Sequence, residues 1–350
     1  MANPNANTTT SLPPGIEFSY RKWVNDPGYF NTWAAFGDLV GYPKRSGDQI
    51  KTRVIPDLDS TPVTLAEGIP GAGKQKRRYD KMLTVEQIGD YIYDTDVLTY
   101  QSVDNNTQIN TNLLMRQCEN IVDRRAQAVL TGGGIGVWAA DDAGTLTTIR
   151  TSVAGRASVA LMNKLLRLAQ QYKIRPWIKA IEPSTGVSTH AVGSGWPVIV
   201  DAQTWFDIKT LIGESGGLTL ASKYPQGEKG KIHPAEQGEF GGMRFILTDW
   251  PKIWPDGGAA VDNSVISSTT GTNADVHAMV LLGKGSYFGL NKVRGDQQTG
   301  RTMTTAKLIH HDFGDYPPLD QINSVGYKKY DGWKIINDTQ ILRVELAVSA

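Results

Sequence analysis

The stretch from Val103 to Leu130, VDNNTQINTNLLMRQCENIVDRRAQAVL, decides the fold. It lies in the longest run free of Gly and Pro, between Gly89 and Gly132, in a chain that carries 37 Gly and 17 Pro. Leu114, Cys118, Ile121, Val122, Ala126, Val129 and Leu130 recur at steps of three and four. That spacing gathers apolar side chains on one face of a helix. Asp104, Asn105 or Asn106 can cap the start, and Gly132 can supply a left-handed stop. A helix over about 103–131 is a rod of roughly 40 Å at ~1.5 Å per residue. Polar over much of its circumference, it suits a spine on which other elements lie. Leu114, Cys118, Ile121, Val122 and Val129 are its expected core residues.

Upstream, residues 1–15 are polar and end in Pro13-Pro14-Gly15. Residues 16–47 are rich in aromatics but broken at Asp26-Pro27-Gly28 and Gly41-Tyr42-Pro43. Together, 1–47 reads as an arm, and large rings on an arm are what a subunit contact uses. Trp23, Tyr29, Phe30 and Trp33 are its expected contact residues. Residues 48–58 alternate, with Ile50, Thr52 and Val54 against Gln49, Lys51 and Arg53, so they predict a strand. A turn-rich stretch, STPVTLAEGIPGAGKQ, follows, and 77–95 returns as a second extended run. The pattern predicts a long two-stranded arm over 48–95. A lone hairpin is marginal in water, so this one is expected to lie on a neighbouring subunit.

Downstream of the spine, residues 157–172 predict a second amphipathic helix with Leu161, Leu165, Leu168 and Tyr172 on one face. Residues 177–307 change to short strands and Gly-rich turns, with one short helix over about 202–211. Three closing strands are expected at 325–330, 333–337 and 341–348. In the last, Leu342, Val344, Leu346 and Val348 oppose Arg343 and Glu345. The spine would cover the sheet they form. The fold class is thus α+β, with a mixed lobe inserted into a discontinuous one.

Composition narrows the function. Hydrophobic residues make up 40% and charged residues 20%, as in an ordinary globular protein. Lys plus Arg is 36 and Asp plus Glu is 35, so no net field draws the whole chain to nucleic acid or anionic lipid. Cys118 stands alone, so no disulfide forms within the chain. The N-terminus has no basic and apolar signal segment. No apolar run reaches bilayer length, and a cytosol-like compartment is expected.

Three chemical motifs fail on their own terms. Gly68 to Lys74 spells Gly-x4-Gly-Lys, but Gln75 replaces the hydroxyl that a phosphate loop gives to magnesium, and no helix is predicted to follow. Asp90, Asp94 and Asp96 lack the spacing of a calcium loop. His310 and His311 are adjacent in an extended run and would point to opposite faces. No elbow motif carries a nucleophile. No catalytic, cofactor or metal residue is expected.

Six segments then resemble, in order, a known family. They are Thr61-Pro62-Val63-Thr64-Leu65-Ala66-Glu67-Gly68-Ile69-Pro70, Gln87-Ile88-Gly89-Asp90-Tyr91-Ile92-Tyr93-Asp94-Thr95-Asp96 and Gly238-Glu239-Phe240-Gly241-Gly242-Met243-Arg244-Phe245. The others are Val280-Leu281-Leu282-Gly283-Lys284-Gly285-Ser286-Tyr287, Asp320-Gln321-Ile322-Asn323-Ser324-Val325-Gly326-Tyr327-Lys328, and Ile336-Asn337-Asp338 with Leu342-Arg343-Val344-Glu345. They resemble the major capsid proteins of N-four-like tailed phages, which have the Hong Kong 97-type capsid fold. The resemblance implies an N-terminal arm (1–47), an extended E-loop (48–95), a P-domain (96–176 and 308–350) and an inserted A-domain (177–307). It departs at Leu65 and Ala66, which lengthen the tip, and at Asn323, where the family has Arg.

The implied function is self-assembly into hexamers and pentamers of an icosahedral head that encloses double-stranded DNA without reading its sequence. No long helical leader precedes the arm, so a separate scaffolding protein, or cleavage of a preceding segment, is expected, with a portal and a decoration protein as further partners. No membrane is involved. The implied location is the virion, after assembly in the host bacterial cytoplasm. Thr61, Pro62, Glu67, Lys74, Lys76, Arg77 and Arg78 are the expected E-loop contacts. The shell of an encapsulin-like nanocompartment and a nucleotide-binding enzyme built on Gly68–Lys74 are the alternatives.

Overall fold

The computed structural model describes residues 6–7, 31–43, 47–61, 64, 67–68, 73–102, 106–177, 195–223, 231–261, 265–294, 306–311 and 322–350. The spine is a helix of 27 residues, Asn106–Gly132. The candidate caps Asp104 and Asn105 lie outside the described residues, and Asn106 is the helix's first residue. The left-handed stop falls not at Gly132 but at Gly134, with φ +79°, where a Cβ would meet Ile341 Cγ2 at 2.7 Å. Only glycine fits there.

Asn110, Leu114, Cys118, Val122, Ala126 and Leu130 are buried, with Asp123 and Thr131 beside them. The first six stand four residues apart. Each such step overshoots a full turn by about 40°, so the buried line winds roughly 200° around the rod. The winding lets one helix lie on two surfaces. Leu114 and Cys118 pack on Val325 and Tyr327, with Ile92 alongside. Val122, Ala126 and Leu130 enter a second cluster with Trp33, Tyr287 and Ile341. Ile121 and Val129, expected in the core, are half-buried on the flanks.

The first surface is a four-stranded sheet among the described residues, in the order Ala6–Asn7, Glu86–Thr95, Ile322–Asp331, Ala306–His311. Its long pair is antiparallel and sets Asp331 opposite Glu86. Like charges directly opposed destabilise a sheet. Arg125 of the spine offsets this: it donates to the Glu86 carboxylate and holds its Nε 2.9 Å from Asp331 Oδ2.

The second surface is, among the described residues, a nine-stranded mixed sheet. Its path runs Leu146–Thr147, Ile135–Ala139, Ile341–Ala347, Val276–Leu282, Trp196–Val200, Met243–Leu247, Glu236–Phe240, Thr219–Leu220, with Ile253–Trp254 beside Val276–Leu282. Both faces are covered. Val198 and Val200 face the cluster under helix Val159–Gln171, while Ile199 faces the spine's cluster. Val276–Leu282 is buried at every position, in keeping with its apolar sequence, and its one polar residue, His277, is paired at 2.7 Å with buried Asp201.

Several expectations change. The three closing strands do not share a sheet. Ile322–Asp331 lies under the spine, Trp333–Ile335 joins Tyr287–Arg294 and Asp38–Pro43 in a third sheet, and Ile341–Ala347 sits within the nine-stranded one. That large sheet takes strands from before residue 177 and after residue 307, so those positions do not separate two sheets. Strand Glu86–Thr95 leaves the hairpin to pair with Ile322–Asp331.

Glu345, set by the alternation on the face opposite the apolar residues, is also fully buried. It is satisfied there by Trp138 Nε1 at 2.8 Å, Arg150 Nε at 2.6 Å and Arg343 Nε at 3.0 Å, as a buried charge must be. The second helix buries Leu161, Met162, Leu165 and Ala169, while Leu168 is half-buried and Tyr172 exposed just past its end. The short helix near 202 ends at Asp207 and widens into a π turn, Ile208–Ile212.

Leu130 has no exposed surface, whereas Leu113 on the same helix is half exposed. Leu130→Ala is expected to cost about 2–5 kcal/mol and Leu113→Ala about 0.5 kcal/mol or less. Urea unfolding of the two variants checks the difference.

Candidate functional site

Strands Gln49–Val54 and Tyr79–Thr84 form the expected hairpin, with Gln49 opposite Thr84 and Val54 opposite Tyr79. Ile50, Thr52 and Val54 share the half-buried side, as their alternation predicts. The hairpin is held at its base. Leu83 packs on Phe288 and Leu290, with Ile50 and Val40 alongside. Further out, Lys51 Nζ (2.7 Å) and Arg53 Nε (3.1 Å) flank Asp80, and their hydrogen bonds hold its carboxyl below the ordinary value. Beyond them, residues 55–61 and 73–78 are exposed throughout. The hairpin also exposes Ile55, Leu58, Tyr79 and Met82, each by about half.

The expected E-loop contacts divide accordingly. Thr61, Glu67, Lys76, Arg77 and Arg78 are exposed, and Pro62 lies outside the described residues. Lys74 is also exposed, but its ammonium donates to the carbonyl oxygens of Asp59 and Thr61. It therefore closes the loop on itself. Residues 73–78 are irregular and then enter a strand, so no helix N-terminus follows Gly73 and a phosphate loop is not formed.

The arm gives a different outcome. Trp23, Tyr29 and Phe30 lie outside the described residues. Trp33, expected at a subunit contact, is wholly buried in its own chain. With no exposed area, it has nothing to offer a neighbour. Its indole N–H donates to the Trp250 carbonyl (3.0 Å), and its carbonyl accepts from the Tyr287 hydroxyl. Asp123, inside the spine, accepts the backbone N–H groups of Trp33 (2.8 Å) and Ala34 (2.9 Å) on Oδ1. The Thr32 hydroxyl donates to Thr248 at 2.9 Å. Burial pushes the Asp123 carboxyl up to about 6, and Asp249 adds to the rise, against the downward pull of the backbone N–H groups.

Asp123 was missed as a functional residue. A charged side chain three positions before Ala126 on a buried stripe was the signal. Asn110, four before Leu114, is a second case: it donates to buried Asp94.

The three acids weighed as a cation site do not converge. Asp94 is taken by Asn110, Asp90 accepts from Gln117 Nε2 at 2.7 Å, and Asp96 accepts from the Val97 N–H at 2.7 Å. The side chains of His310 and His311 lie outside the described residues. Among the described residues, no group of three or more His, Cys, Asp or Glu is placed to hold a metal ion, and no helix is long and apolar enough to cross a membrane.

No family model matches the chain, and no curated protein does either. Solved structures share the fold nearly end to end. The capsid of Ralstonia phage GP4 aligns with TM-score 0.63 at 11% identity over 98% of this chain and 99% of that one. The head structure of Helicobacter pylori bacteriophage KHP40 gives 0.60 at 13% over 99% and 98%. The cyanophage Pam1 capsid gives 0.58 at 14% over the full length of both. The Hong Kong 97-type capsid fold expected from the sequence is borne out as a fold.

Because the folded pKa of Asp123 is raised, its contribution to stability is full below about pH 4 and is lost as pH rises through about 6. The loss is on the order of 2–3 kcal/mol. Asp123→Asn keeps an acceptor oxygen but cannot ionise. Its melting temperature is expected to gain on the wild type's between pH 4 and pH 7. Parallel melting curves across that range would contradict the assignment.

Proposed function

We propose that this chain is the major capsid protein of a tailed phage, a shell subunit that closes into hexamers and pentamers of an icosahedral head around double-stranded DNA. The observation that carries the reading is the free hairpin on a capsid-type fold. The described residues of its outer half, 55–61 and 73–78, are exposed and present both apolar and basic side chains. A surface so disposed is completed by another copy. The same patch must then serve rings of five and six.

In this reading the arm (1–47), E-loop (48–95), P-domain (96–176 and 308–350) and A-domain (177–307) keep the roles that the family resemblance implies. The six motifs favour the N-four-like major capsid proteins. A separate scaffolding protein, a portal and a decoration protein are the partners, and assembly takes place in the host bacterial cytoplasm. Near-balanced charge, 36 basic against 35 acidic residues, limits repulsion among many copies. Packaged DNA is enclosed and not read, since the chain carries no basic stripe.

The basic run Lys76, Arg77 and Arg78 is exposed beside the hairpin and is placed to pair with acids on the adjacent copy. One surface pair contributes only about 0–1 kcal/mol, but the contact repeats at every copy of a closed shell. Negative-stain electron microscopy of the protein assembled with its scaffolding protein is expected to show closed shells of uniform size. Arg77→Glu with Arg78→Glu should reduce those shells while leaving the circular dichroism of the monomer unchanged. Wild-type protein that stays monomeric with scaffold present would overturn the function, and normal shells from the double variant would overturn the pairing.

A further inference from the structure

Thr32–Phe36 is a plug at the root of the arm that buries Thr32, Trp33 and Phe36. It reaches four separate parts of the chain. Asp123 Oδ1 on the spine takes the N–H groups of Trp33 and Ala34. Thr248 and the Trp250 carbonyl take the Thr32 hydroxyl and the Trp33 indole. The Tyr287 hydroxyl donates to the Trp33 carbonyl. The ring of Phe36 stands edge-on to Trp177, with centroids 5.6 Å apart.

The next residues lead straight to the hairpin. Asp38–Pro43 pairs in parallel with Tyr287–Arg294, and the hairpin opens at Gln49. Strand 287–294 serves both roots. Tyr287 belongs to the cluster around Trp33, while Phe288 and Leu290 belong to the cluster that holds Leu83 and Ile50. Alternation along a strand sends neighbouring side chains to opposite faces. One strand therefore seats the plug on one face and the hairpin base on the other.

We propose that Asp123 is a positioning residue for assembly: by fixing the plug on the spine, it sets the direction in which both the arm and the hairpin leave the body. This rests on the shell-subunit reading above. Two donors converge on one carboxylate oxygen in the middle of a helix, where helix formation itself needs no acid. Deleting the carboxylate orphans two buried N–H groups, while an amide still accepts them. The plug packs on one face of the nine-stranded sheet, beside Ile199, Val280 and Ile341, while the other face packs on helix Val159–Gln171 in a separate cluster.

The test compares Asp123→Ala and Asp123→Asn with the wild type, using full-length protein, hydrogen exchange of the monomer and shell yield at a temperature where all three are folded. For Asp123→Ala, exchange is expected to rise in residues 31–43 and in both hairpin strands, Gln49–Val54 and Tyr79–Thr84, but not in helix Val159–Gln171 or strand Ile135–Ala139, which pack in the separate cluster. Shell yield should fall roughly tenfold or more, and Asp123→Asn should restore both. Wild-type yield from a folded Asp123→Ala variant overturns the proposal, as does a rise in exchange spread evenly over the sheet. If Asp123→Ala does not fold, Asp123→Asn decides: near-wild-type exchange and yield support the proposal, and a loss of yield from a folded Asn variant overturns it. If the wild type forms no shells, the shell-subunit reading itself fails, and the exchange pattern alone tests the positioning role.

Discussion

One helix with a winding stripe holds this molecule together. Asn110, Leu114, Cys118, Val122, Ala126 and Leu130 stand four apart, and the drift of about 40° per step turns the buried line from one sheet to another. A stripe at strict 3.6-residue spacing would have covered a single surface. The drift instead ties the four-stranded sheet, through Val325 and Tyr327, to the nine-stranded sheet, through Val280 and Ile341. Polar residues on the stripe tie down what apolar packing cannot. Asn110 holds Asp94, Arg125 holds Glu86 and Asp331, and Asp123 holds the arm's root.

What could be read from the sequence followed periodicity. The spine, the second helix (expected over 157–172, found at Val159–Gln171) and the hairpin strands were all visible as spacing of apolar residues. Pairing between distant strands was not. Nothing in Ile341–Ala347 says that it lies beside Val276–Leu282 and not beside Ile322–Asp331, since all three are plausible sheet members and the partner is chosen by long-range packing. The same limit hid the burial of Glu345. An alternating strand reads as half solvated, and only the arrival of Arg150 and Trp138 over that face makes a buried carboxylate tolerable.

The candidate contact surface was legible in part. The hairpin's exposed tip followed from turn-rich sequence between two alternating runs. Trp33 did not follow, because an aromatic residue near a chain end reads equally as an anchor for a neighbour or for its own core. Its N–H groups and indole decide for the core, through acceptors 90 and 217 residues away. The arm and the hairpin are therefore rooted differently: one by hydrogen bonds to a buried acid, the other by a small apolar cluster. Both leave from a single strand. That arrangement hangs the arm's root and the hairpin base on opposite faces of one strand.

The most direct measurement is a cryo-electron microscopy map of assembled particles. The hairpin's outer residues, 55–61 and 73–78, should lie in contact with an adjacent subunit, with Ile55 and Leu58 covered by it. A map in which the hairpin is folded onto its own body, or one in which it stands clear of every neighbour, would contradict the central claim.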